Sequence, residues 1–157
     1  MSAMVWSGTL EAIHVAPEAG APMQALGEAT LVAGVGIEGD RYASGNGKFS
    51  EIEDVRDVTL IEAETLEALA RDLELDLGAD EHRRNLTTRD VPLNHLVGAR
   101  FRVGSVLLEG ARLNHPCNYL TLVTGKPVRE PLTNRAGLNC RIVEGGVIRP
   151  GDAIAPV

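Results

Sequence analysis

A chain of 157 residues with 44% hydrophobic and 24% charged residues has the size and balance of one soluble domain that buries its core without disulfide support. Its formal net charge of -7 argues against nucleic acid and anionic membrane as general partners, because either would be repelled over most of the surface. No apolar run approaches the roughly 20 residues that span a bilayer, and aromatics at 3% exclude both a stacking platform for single strands and an aromatic core.

The opening Met1-Ser2-Ala3-Met4-Val5-Trp6 lacks the basic segment and long apolar stretch of a secretory leader, so a cytoplasmic protein with reduced thiols is expected. Turn residues are spread throughout, with no repeat, low-complexity tract or linker, and the chain reads as a single domain over 1–157. β-like runs fall at 9–15, 29–32, 55–61, 99–103, 106–113, 141–143 and 152–156. Gly34-Val35-Gly36-Ile37-Glu38-Gly39 spells G-x-G-x-x-G, but a dinucleotide motif closes a strand and opens a helix, whereas turn-formers from Asp40 to Gly47 follow here. It reads better as a glycine loop whose backbone approaches something closely, with Asp40 and Arg41 presented at its end.

Leu66, Leu69, Ala70 and Leu73 recur at helical spacing, with Glu62, Glu64 and Glu67 toward the N-terminal end, which predicts a helix over 62–73. Thr59 with Glu62 has capping-box spacing, although a Thr inside an apparent strand is equally a β-former. The segment Glu81-His82-Arg83-Arg84-Asn85-Leu86-Thr87-Thr88-Arg89 concentrates guanidinium, amide and hydroxyl donors; it is either a phosphate site, since arginine offers an anion a planar fork, or a solvated turn after the helix. In Leu113-Asn114-His115-Pro116-Cys117-Asn118-Tyr119-Leu120, a cysteine follows a proline at the end of a long β-like run. Its thiolate could there ligate a soft metal or carry sulfane sulfur, or Cys117 could be a buried small hydrophobe. His115 shares a face with Cys117 on a strand but not on a turn. Cys140, in an alternating run, reads as core filling. Among His14, His82, His95 and His115 there is no HExxH, and the cysteines form no CxxC, so zinc is not indicated; neither is a serine nucleophile elbow or a P-loop. Gly104, Gly110, Gly145, Gly146 and the turn Arg149-Pro150-Gly151-Asp152 punctuate the C-terminal half. The expected fold is mainly β with minor α, a meandering and largely antiparallel barrel.

In order, Gly39-Asp40-Arg41, the run from Arg56 to Glu64, Arg83-Arg84-Asn85-Leu86, the run from Val97 to Gly104, Pro116-Cys117 and Gly145-Gly146-x-x-x-x-Gly151-Asp152 resemble a MOSC domain, the C-terminal module of molybdenum cofactor sulfurases, over nearly the whole chain. The likeness is to the small stand-alone bacterial type, and it implies a MOSC-type β-barrel with short helices. It also implies that Cys117 matches the family's essential cysteine, proposed to carry sulfur as a persulfide or to ligate molybdenum, and that Arg41, Arg84 and Asn85 line the pocket of the molybdenum cofactor (molybdopterin), whose pterin carries a phosphate. The position after Arg41, often His in relatives, is Tyr42.

The leading expectation is a sulfur carrier: Cys117 accepts sulfane sulfur from a pyridoxal-phosphate-dependent cysteine desulfurase and delivers it to molybdenum cofactor, a molybdoenzyme or another metal-sulfur acceptor. Pyridoxal phosphate would stay with the partner, and the molybdenum cofactor could be met only transiently. The alternatives are a molybdenum-dependent reductase of N-hydroxylated compounds, with Cys117 on the metal, and a non-catalytic module that binds and presents the cofactor.

Overall fold

A computed structural model describes residues 5–157; residues 1–4, the start of the stretch read for a leader, lie outside the described residues. The chain opens with β1 (Gly8–Val15), whose inward residues Leu10 and Ile13 straddle a register shift at residues 10–12. Then come β2 (Gln24–Ala25), β3 (Ala29–Val32), β4 (Gly36–Ile37), the one-turn α1 (Arg41–Ser44), β5 (Val58–Glu62), α2 (Ala63–Leu73) and β6 (Leu86–Arg89). A 3-10 turn at Leu93–His95 leads into β7 (Arg100–Val103), β8 (Val106–Leu113), α3 (Asn118–Thr124), β9 (Leu138–Glu144), β10 (Gly146–Ile148) and β11 (Ala153–Pro156). The strands β11-β7-β8-β9-β5-β6-β1 lie side by side, and β1 pairs back onto β11, closing a seven-stranded barrel that leaves no free edge. Strands β10-β3-β4 form a small separate sheet.

Each β-like run coincides with a strand, though the run from 55 begins its pairing only at Val58, and 141–143 is the middle of β9. All barrel pairings are antiparallel except β5 with β6. A parallel pair needs a crossover, and α2 with the chain to Asn85 supplies it. The helix begins at Ala63, one residue later than expected. No capping box forms: Glu62 at the N-cap makes no side-chain bond, because Thr59 is an interior strand residue whose hydroxyl is engaged by Asn85. The G-x-G-x-x-G segment is the β3–β4 hairpin, with Gly34 at φ +70 in its turn. A Cβ on Gly36 would lie 3.1 Å from that of Ala43, so the close approach that glycine permits is onto α1.

The barrel interior is aliphatic around Phe101, on which Trp6 stacks edge-on at 6.3 Å. A second cluster, Ile61, Leu69, Leu77, Leu120, Val128, Leu132 and Ala136, packs α2, α3 and the segment before β9 onto the outside of the barrel. Those two cores hold the functional elements in place. Among the described residues no helix is long and apolar enough to cross a membrane.

Candidate functional site

Gly39-Asp40-Arg41 forms a latch. Asp40 N-caps α1 by accepting from the Tyr42 amide, while its other oxygen accepts from the Ala16 amide at 3.2 Å and from Arg41 Nη1 at 2.9 Å. Arg41 Nη2 donates to the Arg83 carbonyl at 3.0 Å, so this buried guanidinium ties the end of β1 to the segment before β6. Most of Arg41's donor capacity is therefore spent inside the protein.

That segment makes a sharp bend, with Arg83 in the left-handed region at φ +66, where a side chain with a Cβ is strained. His82, fully buried, braces the bend: its Nδ1 accepts from the Arg84 amide at 2.9 Å, so Nε2 carries the proton and donates to Thr87 Oγ1 at 3.1 Å. Burial first, and the Arg84 and His14 charges next, lower the His82 pKa to about 3, which keeps the ring neutral. The bend turns two arginines into one cleft. Arg84 donates to the carbonyls of Ala136 and His82 and to Asn114 Oδ1. Burial lowers its pKa to about 10 against the opposing pull of Cys117, so it remains a cation at neutral pH. Arg83 is 6% exposed and donates through Nη1 to the Ala21 carbonyl, yet its Nε and Nη2 have no partner among the described residues. Burial, with Arg41 beside it, lowers the Arg83 pKa as well.

Asn85 stands behind the cleft and does not line it. Its Oδ1 accepts from the amide and hydroxyl of Thr59, each at 3.1 Å, and its Nδ2 donates to the His14 carbonyl at 3.1 Å. The amide side chain thus stitches β5 and β1 to the start of β6.

Cys117 lies beyond the end of β8, at the N-cap of α3 with an extended backbone, so the shared strand face with His115 does not arise. Leu120, buried in the outer cluster, anchors α3 and leaves the Cys117 thiol half-exposed in the cleft, with the exposed His115 on the rim. Cys140 is 0% exposed in the barrel core opposite Val58 and Gly110, where burial pushes its thiol up. Both thiols are free.

The cleft has a volume of about 250 Å³. Five guanidiniums, of Arg41, Arg56, Arg83, Arg84 and Arg112, line it against one carboxylate, Asp54. Asp54 is itself engaged by Arg112 at 2.7 Å and by Arg56 at 3.4 Å, and its bond to Arg112 holds it below the usual carboxylate range. A protein with net charge -7 therefore carries a concentrated cationic site. The Tyr42 ring sits between Arg41 and Arg56, their guanidinium carbons 4.8 and 5.6 Å from its centroid, a cation–π role in place of a histidine's hydrogen bonding. Phe49 and Tyr119, edge to face at 6.1 Å, add an aromatic wall.

Of the residues expected at the cofactor, Cys117, Arg41 and Arg84 meet in this cleft and Asn85 supports it from behind. Arg56 and Arg112 were not singled out from sequence because each is an isolated arginine in its own segment; only the barrel brings them together. Arg83 belonged to the donor-rich segment, but nothing local marks it as the arginine with free N–H groups.

The family model of the MOSC domain matches residues 48–155. A search of the curated proteins returns no match. Among solved structures, the fold is similar to the YuaD protein from Bacillus subtilis, with a TM-score of 0.80 and 16% identity over 96% of this chain and 97% of that one. It is also similar to YiiM from Geobacillus stearothermophilus, with a TM-score of 0.72 and 14% identity over 96% of this chain and 75% of the other. YiiM from Escherichia coli matches with a TM-score of 0.68 and 18% identity over 99% and 70%. At these identities the structural likeness is one of fold. The family model, however, runs from β5 to β11 and takes in the Arg83–Arg84 bend and Cys117, and on that match the chain belongs to the MOSC domain family, which is associated with the molybdenum cofactor.

Proposed function

We propose that the protein is a sulfur carrier serving the molybdenum cofactor, with Cys117 as the residue that holds sulfur as a persulfide. The observation that carries this reading is the meeting, in one cleft, of a half-exposed thiol and a buried arginine with two unpartnered N–H groups. Buried donors are ordinarily satisfied, so Nε and Nη2 of Arg83 call for an acceptor from outside the chain. The donor set fits an anionic cofactor: the free edge of Arg83 would hold the phosphate of the pterin beside the Arg84 charge, and Cys117 is the one soft ligand in the cleft lining. When bound, the cofactor supplies a metal centre that takes up sulfur.

The chain's own part is group transfer. The Cys117 thiolate attacks the terminal sulfur of a persulfide on a pyridoxal-phosphate-dependent cysteine desulfurase. An Sγ–S bond forms, the donor's S–S bond breaks, and the donor cysteine leaves as thiolate. Arg84 supplies the nearby counter-charge. The aromatic wall of Phe49 and Tyr119 beside the thiol favours a second reading, a molybdenum-dependent reductase of N-hydroxylated compounds in which Cys117 ligates the metal.

Incubation with a cysteine desulfurase and cysteine tests the first reading: the wild-type protein should gain the mass of one sulfur atom, removable by cyanide, and Cys117→Ala should gain none. Equal gain in the variant would overturn it. Stoichiometric molybdenum in the wild type purified from a cofactor-producing host, absent from Cys117→Ala and without any persulfide, would put the reductase ahead.

A further inference from the structure

We propose that Cys117 can also be charged by a small dianionic sulfane-sulfur donor of the thiosulfate type, bound through its oxyanion end by Arg83; this deepens the sulfur-carrier reading and rests on it. The starting point is the geometry of one side chain. Arg83 is pinned on one side, by Nη1 on the Ala21 carbonyl and by the His82-braced bend of its backbone, and what it leaves free is the Nε–Nη2 edge. Those two N–H groups point in the same direction and form the fork that makes paired bonds to a carboxylate, phosphate or sulfonate. Arg83 is 6% exposed, so this edge is shielded from bulk water, and the residue belongs to the lining of the cleft that holds the thiol.

The surroundings select charge and size. Arg41 and Arg84 line the same cleft, and the one carboxylate in the lining, Asp54, is already engaged by Arg112 and Arg56. A field of that sign draws in a small dianion, whereas a protein-borne persulfide offers no pair of oxyanion oxygens to the Arg83 fork. A cleft of about 250 Å³ accommodates a molecule of this size with the thiol alongside.

The step balances without an external oxidant or reductant. The Cys117 thiolate attacks the outer sulfur of thiosulfate; the Sγ–S bond forms, the bond from that sulfur to the SO3 group breaks, and its electron pair leaves with sulfite. Cysteine thiolate and thiosulfate become cysteine persulfide and sulfite with no change in total charge. Negative charge gathers on the leaving sulfonyl oxygens, where the Arg83 fork stabilises it.

The test is a single-turnover incubation of the wild-type protein with thiosulfate, reading released sulfite and the mass of the protein. One sulfite per Cys117 and a matching gain of one sulfur atom are expected, with neither in Cys117→Ala, and inorganic sulfate should compete. Arg83→Lys, which keeps the charge but loses the fork, should raise the thiosulfate concentration for half-maximal charging by at least about tenfold; charging at the wild-type concentration would overturn the role of Arg83. Sulfate competition on the wild type decides the binding mode should the variant not fold, and charging that is indifferent to sulfate would overturn it. A wild type charged by the desulfurase but not by thiosulfate overturns this inference and leaves the carrier reading standing, while charging by neither overturns both.

Discussion

Asn85→Ala would separate a supporting residue behind the cleft from a ligand within it. The amide side chain accepts from the Thr59 N–H and donates to the His14 carbonyl, and at 1% exposure no water replaces it. Truncation leaves those two buried backbone groups unpaired at about 1–3 kcal/mol each, so about 2–6 kcal/mol in all, against a total of about 5–15 kcal/mol for a domain. With a urea slope of about 2 kcal/mol per molar, the unfolding midpoint should fall by about 1–3 M. The protein's single tryptophan, Trp6, packs on Phe101 of the barrel core, so its fluorescence follows the transition. Affinity for a phosphate or sulfate probe, measured where the variant is folded, should stay within a few-fold of the wild type. An unchanged midpoint combined with lost anion binding would refute the reasoning and make Asn85 a ligand.

Four further outcomes follow from burial and backbone geometry. A thiol reagent should modify Cys117 rapidly and Cys140 only on unfolding, since Cys140 is 0% exposed; two fast thiols in the native protein would contradict the core placement. Because burial raises the folded-state pKa of Cys140, the stability it contributes is present below the unfolded thiol value of about 8.5 and is lost as pH rises beyond it; Cys140→Ala should flatten that alkaline decline in an unfolding series. His82 has the opposite sign: with a folded pKa lowered to about 3, stability is full above the unfolded value near 6.5 and falls by about 1.4 kcal/mol for each unit of pH below it. Nitrogen NMR should find the His82 Nε2–H tautomer down to the onset of acid unfolding, and a ring titrating near 6.5 in the folded state would contradict the bracing role. Gly137→Ala should cost at least about 2 kcal/mol, because φ is +108 and the new Cβ would fall 2.1 Å from the Leu60 carbonyl oxygen; a thermal melt within a degree of wild type would refute it.

The sequence alone determined the elements whose signals are local. The β-like runs at 9–15 and 106–113, the helical recurrence of Leu66, Leu69, Ala70 and Leu73, and the turn at Arg149–Asp152 arise from side-chain periods and backbone preferences within a few residues. Cys117 was also marked in sequence, by the proline before it and by its place in an ordered set of motifs. Besides the very short β2, β4, α1 and β10, two longer elements escaped because their signals are weak or shared: β6 is short and polar, with Thr87 and Thr88 buried by neighbours on both sides, and α3 is a single seven-residue run held by Leu120 and not by its own periodicity. Only the tertiary structure decided which donors remain free. Arg41, Arg83 and Arg84 are the same residue type within one motif set, yet Arg41 is spent on Asp40 and the Arg83 carbonyl, Arg84 on Ala136, His82 and Asn114, and Arg83 alone keeps an open edge. That difference depends on partners up to 62 residues away in the chain, brought within hydrogen-bond distance by barrel closure, and no local pattern encodes it.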